Sequence, residues 1–477
     1  MPVALPDPDA LLADAPQLWA ALQTAGWSAA ALDELLGSTY RTHLDAGEIA
    51  PLLRRTGSGT ALETLARLFV VGCGVELGRA RAAGVPETWL IPDGFDVAAP
   101  VRLQPLVHDG REVLLAQDPG RAATGVHPQQ VLGAGAASLT LAAATPRDQV
   151  GRTLDLGSGS GVQALLAAGH SSTVVATDAS DRATAYARLS AALSGATLDV
   201  RTGDLLAPVR GELFDLVVSN PPFVIGPSAR YTYRDGGREA DALCAELVRH
   251  LPRHLTEDGY AVLLANWLHV AGEDGDERVR SWFGADTDGW VVQRELAAPQ
   301  DYVTAWLRDT DEGERFDVLY DDWMGWFDAR RVEAVAFGVL ALRRGTGQVD
   351  VDDVPQSLAT VWGEQVPAHF IAQDALSREV LATRWRLRAD VRLSQVAEQT
   401  PEGWRAHHQV LTQQAGLRWS GEVDVYGATL LAGCDGTRPL GDLLAVLAAS
   451  ASITVDDAAA QVAPVVERLV RQGFLLA

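Results

Sequence analysis

The 477-residue chain contains no lysine, and all 39 of its fixed cations are arginines. That absence excludes a Schiff-base lysine and a phosphate-binding lysine loop from its chemistry. Cysteine is nearly as scarce: Cys73, Cys244 and Cys434 stand far apart in sequence, so neither a zinc site nor a disulfide framework is indicated and no metal is expected. His407-His408 by itself is too little for a metal site. No apolar run reaches the roughly 18 residues of a membrane span, and the acidic, Pro-rich N-terminus lacks a charged-then-apolar signal pattern. No membrane association and a cytoplasmic location are therefore expected. A basic segment is missing too: 62 acidic groups give a net charge of −23, and acids outnumber arginines in residues 1–100, 101–345 and 346–477 alike. A protein that tracks a phosphate backbone is expected to show a basic face, so nucleic acid is weakened as a partner, without excluding a local arginine groove.

What the chain does have is Thr153-Leu154-Asp155-Leu156-Gly157-Ser158-Gly159-Ser160-Gly161. A short apolar run ends in an acid, three alternating glycines follow, and Val162 to Ala168 is strongly helix-forming, which together read as strand, tight loop and helix. Glycines there permit φ > 0 and let a ligand approach the main chain. A second strand, Thr173 to Thr177, delivers Asp178, 21 residues after Gly157. An acid at that spacing, at the end of the second strand, suits ribose hydroxyls. Pyrophosphate cofactors favour G-x-G-x-x-G, so D-x-G-x-G-x-G makes a dinucleotide the weaker reading. Asp155, Asp178 or Asp204 alone would pass as a strand-end turn residue. Three acids at strand ends with these intervals in one α/β pattern favour a ligand site.

On these residues the chain resembles the class I S-adenosylmethionine-dependent methyltransferases. The resemblance implies a Rossmann-like seven-stranded α/β core. It also implies that Asp155, Gly157, Ser158, Gly159 and Gly161 form the loop beside the methionine part of the cofactor, with Asp178 on the ribose. Asp204, followed by Leu205, matches the acid near the adenine amino group.

Asn220-Pro221-Pro222-Phe223 closes the strand Phe214 to Ser219. Two prolines without N–H groups give a turn that presents carbonyl acceptors with few competing donors, and Asn220, held extended by the proline after it, adds a side-chain oxygen. Such acceptors favour the pyramidal nitrogen that develops when an amide or exocyclic amine attacks an electrophile, and Phe223 offers a stacking surface for the planar group. Pro-Pro alone reads equally as a rigid strand-ending turn. Its place after a strand and downstream of the glycine loop favours the chemical reading. Asn-Pro-Pro-Phe matches the [Asn/Asp]-Pro-Pro-[Phe/Tyr/Trp] motif of amino-methyltransferases, which modify protein glutamine, adenine N6 and guanine N2.

Downstream, Tyr231 to Gly237, Leu243 to Leu251 and Leu255 to Leu264 look like the corresponding stretch of the release-factor glutamine methyltransferases. Those enzymes usually carry Tyr where this chain has Phe223, a choice common among ribosomal RNA guanine enzymes. The resemblance thus implies a macromolecular substrate, protein glutamine first and an adenine or guanine amino group in RNA or DNA second. A catalytically silent module that binds S-adenosylmethionine is the third reading.

Along the chain, residues 1–91 read as a helical domain with helical patterns over Leu11–Ala25, Ser28–Leu36 and Ala61–Ala83, and 92–121 as a β-hairpin connector. Residues 122–345 are the expected methyltransferase domain, and 346–477 an α+β, winged-helix-like domain after an Asp-rich linker. His127 precedes a loop placed to cap the cofactor pocket and reads as a turn histidine rather than a base. An aromatic stretch within 299–331, Tyr302, Trp306, Phe316, Tyr320, Trp323, Trp326 and Phe327, has partly helical spacing. It is expected to pack as core, with a substrate-stacking platform as the alternative.

Overall fold

The fold is seen in a computed structural model that describes residues 6–119, 129–227, 240–309, 315–354, 361–376 and 380–477, with the side chains of Asp309 and of 405–408 left undescribed. The chain forms two compact units: Met1–Ala142 with Gln149–Asp353, and Ala143–Asp148 with Val354–Ala477.

The first unit begins with short helices. Ser28 accepts a hydrogen bond from the Ala31 N–H and so caps Ala29–Leu36, and Thr60 caps Ala61–Ala66 in the same way. The helical pattern over Ala61–Ala83 is not one helix. A π-turn, Arg67–Val71, ends at left-handed Gly72, and a new helix starts at Leu77. Across the break Val75 exchanges backbone hydrogen bonds with Val97, at 2.9 and 2.8 Å, which takes its N–H and carbonyl out of helical register. Leu18, Leu22, Leu65, Phe69 and Trp89 pack with Tyr186, Leu189 and Leu193 of the helix Asp181–Leu193, so the helical layer shares a core with the α/β part.

Two hairpins come next. β1 (Ile91–Asp93) pairs with β2 (Asp96–Ala98), and β3 (Arg102–His108) with β4 (Arg111–Gln117) through a two-residue turn with Asp109 and Gly110 both at positive φ. The outer edge of β4 is satisfied by side chains: the Leu114 and Ala116 N–H groups donate to Ser194 Oγ and Ser190 Oγ, each at 2.9 Å.

The central sheet contains β5 (Val150–Leu156), β6 (Ser171–Asp178), β7 (Asp199–Thr202), β8 (Phe214–Ser219), β9 (Leu255–Val270), β10 (Thr287–Ala297), β11 (Val332–Arg344) and β12 (Val349–Asp353). Its order is β12-β10-β11-β9-β8-β5-β6-β7, parallel from β7 to β9, with β11 antiparallel to both of its neighbours. Seven of these strands are the expected Rossmann-like core. The eighth, β12, corrects the reading of the Asp-rich stretch as a linker. Polar partners hold it in place: Trp290 Nε1 donates to Asp352 at 2.8 Å, and Asp288 Oδ1 takes the Thr346 and Gln348 N–H groups at 2.8 and 3.1 Å, folding the chain into parallel register with β10. Helix Ala242–His250 covers one face of the sheet through Cys244, Leu247 and Val248, against Leu154, Val217, Ala265 and Trp267.

The second unit is α+β. Helices Gln365–Leu376, Val425–Gly433, Leu440–Ala451 and Val455–Arg471 surround Trp385 and Phe474, and β13 (Arg386–Leu387) pairs with β17 (Leu475–Leu476). The helices Leu440–Ala451 and Val455–Arg471 cross at 118°, the angle of a helix-turn-helix, with left-handed Ser452 at the break. A long hairpin, β14 (Val391–Thr400) with β15 (Gly403–Gln413), and the short β16 (Ser420–Glu422) precede that pair; this arm is an addition to the winged-helix-like reading of the sequence. No single helix among the described residues is long and apolar enough to cross a membrane.

Asp288 is buried and also pairs with Arg343 at 3.1 Å. Replacing it with Ala takes the acceptor from the Thr346 and Gln348 N–H groups and one acid from Arg343, and is expected to cost about 3 kcal/mol of stability in urea unfolding. Amide exchange should rise first in β12.

Candidate active site

In an open α/β sheet, ligands bind beyond the carboxyl ends of the strands where the strand order reverses. Here that point lies between β5 and β8, and both motifs sit on it. β5 runs into the glycine loop and β8 into Asn220-Pro221-Pro222-Phe223. Ser219 Oγ donates to the Leu156 carbonyl at 2.8 Å, and a Cβ on Gly157 would stand 4.0 Å from the Asn220 carbonyl oxygen.

Gly157, Gly159 and Gly161 all have positive φ, at 75°, 56° and 88°. The loop is held tightly: the Gly157 and Ser158 N–H groups both donate to the Thr177 carbonyl at 2.8 and 2.9 Å, and the Gly161 N–H to Ser158 at 2.8 Å. Asp155 is fully buried and accepts the Ala164 N–H at 2.8 Å, stitching the helix after the loop back onto β5. Burial raises its carboxyl to about 7, with that hydrogen bond opposing the shift and nearby Asp178 adding to it. Asp178 receives the Gly159 N–H at 3.0 Å and the Ser180 N–H at 2.9 Å; burial still pushes its pKa up. The exposed Asp204 and half-buried Leu205, the latter at φ 44°, end β7 on the same edge of the sheet.

Three hydroxyls give an independent sign of a ligand. Ser158 Oγ, Ser160 Oγ and Thr177 Oγ1 are buried without a hydrogen-bond partner among the described residues, and such groups are costly unless something satisfies them. Backbone open at Gly157 and Gly159, orphan hydroxyls and carboxylates at the ends of β6 and β7 fit a nucleoside with a polar, cationic tail, which is the chemistry of S-adenosylmethionine. Sequence reasoning does not single out Ser160 or Thr177, although Ser160 stands inside the glycine loop and Thr177 directly before Asp178.

Asn220 is half-buried, with no hydrogen bond from its side chain to any described residue, and Pro221 is buried. The Phe223 ring lies 5.6 Å from Phe337 of β11, at 48°. Phe337 stands opposite Asn266 in the β9–β11 ladder. Asn266 and Phe337 carry no local motif, and only strand pairing brings them to the site. The aromatic stretch forms helices Pro299–Asp309 and Phe316–Ala329; Tyr302 and Phe327 are core as expected, while Trp306, Phe316, Tyr320, Trp323 and Trp326 are half-buried around them. His127 and the segment Tyr231–Gly237 lie outside the described residues. Among the described residues no group of His, Cys, Asp or Glu side chains is placed to hold a metal.

Sheet order, glycine loop and strand-end acids together define a Rossmann-like α/β core with a ligand crevice at the β5–β8 switch point. More narrowly, residues 121–271 match the family described as Methyltransferase small domain. Residues 24–89 and 368–477 match two domains of unknown function. Among curated relatives, the ribosomal protein uL3 glutamine methyltransferase of Bradyrhizobium diazoefficiens is 37% identical over 168 residues, covering 31% of this chain and 52% of that one. The release factor glutamine methyltransferase of Xylella fastidiosa is 35% identical over 25% of this chain and 52% of its own. The ribosomal RNA small subunit methyltransferase C of Salmonella arizonae is 33% identical over 27% and 34%. The chain thus spans about half the length, or less, of these relatives.

Asp155 titrates near 3.8 when unfolded and near 7 in the fold. Its contribution to stability is therefore complete below the lower value and lost as pH rises through the upper one, by on the order of 4 kcal/mol. Urea unfolding between pH 4 and 8 should show this fall, and Asp155→Asn should reduce it to the part that Asp178 carries.

Proposed function

We propose that the protein is an S-adenosylmethionine-dependent N-methyltransferase whose acceptor is a planar amino nitrogen of a macromolecule, with the side-chain amide of a protein glutamine as first substrate. The carrying observation is that Asn220-Pro221-Pro222-Phe223 ends β8 beside the glycine loop that ends β5.

The cofactor, when bound, supplies an electrophilic methyl carbon on a sulfonium sulfur. The chain's residues prepare the nitrogen that attacks it. Asn220 Oδ1 and the Pro221 carbonyl accept the two N–H bonds of the acceptor, which draws the nitrogen lone pair out of conjugation and aims it at the methyl group. Neither Pro221 nor Pro222 brings an N–H to compete. Phe223, backed by Phe337, stacks on the plane of the acceptor and sets its angle. No strong base is required, because the nitrogen becomes acidic once alkylated and its proton is already directed at a carbonyl oxygen.

Charge favours protein over nucleic acid. Within the α/β core several arginines pair with neighbouring acids: Arg152 and Arg201 share Glu212, Arg278 pairs with Asp241, and Arg343 with Asp288. Pairs of this kind weaken the attraction for phosphates on a chain of net charge −23. A nucleobase amine is the second reading, supported by Phe223 in place of Tyr and by the similarity to the ribosomal RNA enzyme.

Asn220→Ala should lower label transfer from radiolabelled S-adenosylmethionine to host lysate by about 10²-fold or more. Its affinity for S-adenosylhomocysteine, by calorimetry, should stay close to wild type. Full activity in that variant contradicts the mechanism, and cofactor binding with no transfer by the wild type points to the silent module.

A further inference from the structure

We infer that the helical insertion Pro299–Ala329 sets the position of the Asn220-Pro221-Pro222-Phe223 loop, and that Tyr302 is the residue through which it acts. The inference rests on the methyl-transfer reading above.

Pro221 and Pro222 have no N–H to offer, so the chain leaving β8 is held by backbone donors from Phe223 onward. Two residues on, the Ile225 N–H donates to Tyr302 Oη at 2.8 Å, across 77 positions of sequence. The same hydroxyl accepts a second hydrogen bond, from Asn266 Nδ2 at 3.0 Å. Asn266 faces Phe337 across the β9–β11 ladder, and the Phe337 ring meets Phe223. One phenol oxygen thus holds the exit of the acceptor loop and braces the strand behind the stacking ring. Asn266 is buried, and its Oδ1 has no partner among the described residues, so on the described side chains Tyr302 alone fixes the orientation of that amide.

Tyr302 is itself held rigidly. Its ring is edge-on to Trp306 at 6.0 Å and to Phe327 at 6.1 Å, within an apolar cluster that includes Ile225, Leu268 and Val335. The second helix of the insertion meets the loop one residue further on: a Cβ on Gly226 would lie 2.8 Å from the Trp323 ring. Hydrogen bond and steric stop converge on consecutive residues. Methyl transfer needs the attacking nitrogen in line with the methyl carbon, and small misplacement of the groups that hold it slows the reaction steeply.

Tyr302→Phe keeps the packing and removes both hydrogen bonds. The expected result is faster amide exchange at Ile225, a fall of about tenfold in the rate of label transfer at saturating cofactor, and unchanged affinity for S-adenosylhomocysteine, with a native circular-dichroism spectrum and a lowered melting temperature because two buried donors lose their acceptor. Gly226→Ala should slow transfer in the same way, and Gly226→Ala with Trp323→Leu should recover it, because the smaller side chain makes room. Unchanged exchange at Ile225, faster exchange with unchanged transfer, or cofactor affinity lost in step with transfer each overturns the inference. Asn220→Ala separates the two readings: if it retains transfer, the methyl-transfer site is misassigned, whereas if it abolishes transfer while Tyr302→Phe runs at full rate, only the positioning role fails.

Discussion

The pairing of β5 with β8 is the constraint on which the rest of the site depends. It runs in parallel from Thr153 with Leu216 to Leu156 with Ser219, ending in the Ser219 Oγ hydrogen bond to the Leu156 carbonyl. Because strand order reverses there, the next strands lead outward on both sides, and a crevice opens between the two loops. A glycine loop and the Asn220-Pro221-Pro222-Phe223 turn, separated by some sixty residues of chain, thereby share one edge. Slipping β8 by one residue against β5 would turn Ser219 to the opposite face and separate loop from turn.

Around that pairing the molecule satisfies polar groups at long range rather than through regular structure. Serines of the helix Asp181–Leu193 and its C-cap complete the edge of β4, Asp288 gathers the turn before β12, and Tyr302 holds the exit of the acceptor loop. Around the site itself, polar groups are left over: the hydroxyls of Ser158, Ser160 and Thr177 and the oxygen of Asn266 are buried without partners among the described residues. The three hydroxyls lie in and beside the glycine loop, and the Asn266 oxygen on β9 opposite Phe337.

Much of this is legible in the sequence, for local reasons. Asp155 to Gly161, Asp178 and Asn220 to Phe223 announce themselves because glycine, strand-end acid and Pro-Pro each carry a conformational or chemical signature within a few residues. The β3–β4 hairpin follows from two short apolar runs around Asp109-Gly110. Asn266 and Phe337 are not legible, since their roles come only from the β9–β11 register. Tyr302 stands out in the sequence only as one aromatic among seven, and its hydroxyl acquires meaning when Ile225 is found beside it. β12 reads as a linker because Asp350, Asp352 and Asp353 suppress a strand pattern, until Trp290 is seen to supply one of the partners. The break at Gly72 is hidden by the helical periodicity on either side, which Val75 overrides by pairing with Val97.

The central claim is that the site methylates the side-chain amide of a protein glutamine. Its most direct test is to incubate the protein with methyl-labelled S-adenosylmethionine and lysate of its host, digest the product fully and identify the labelled unit by mass spectrometry. Recovery of the label on the side-chain nitrogen of glutamine, from protease-sensitive material, is the predicted result. Recovery on an adenine or guanine amino group, from nuclease-sensitive material, would contradict it.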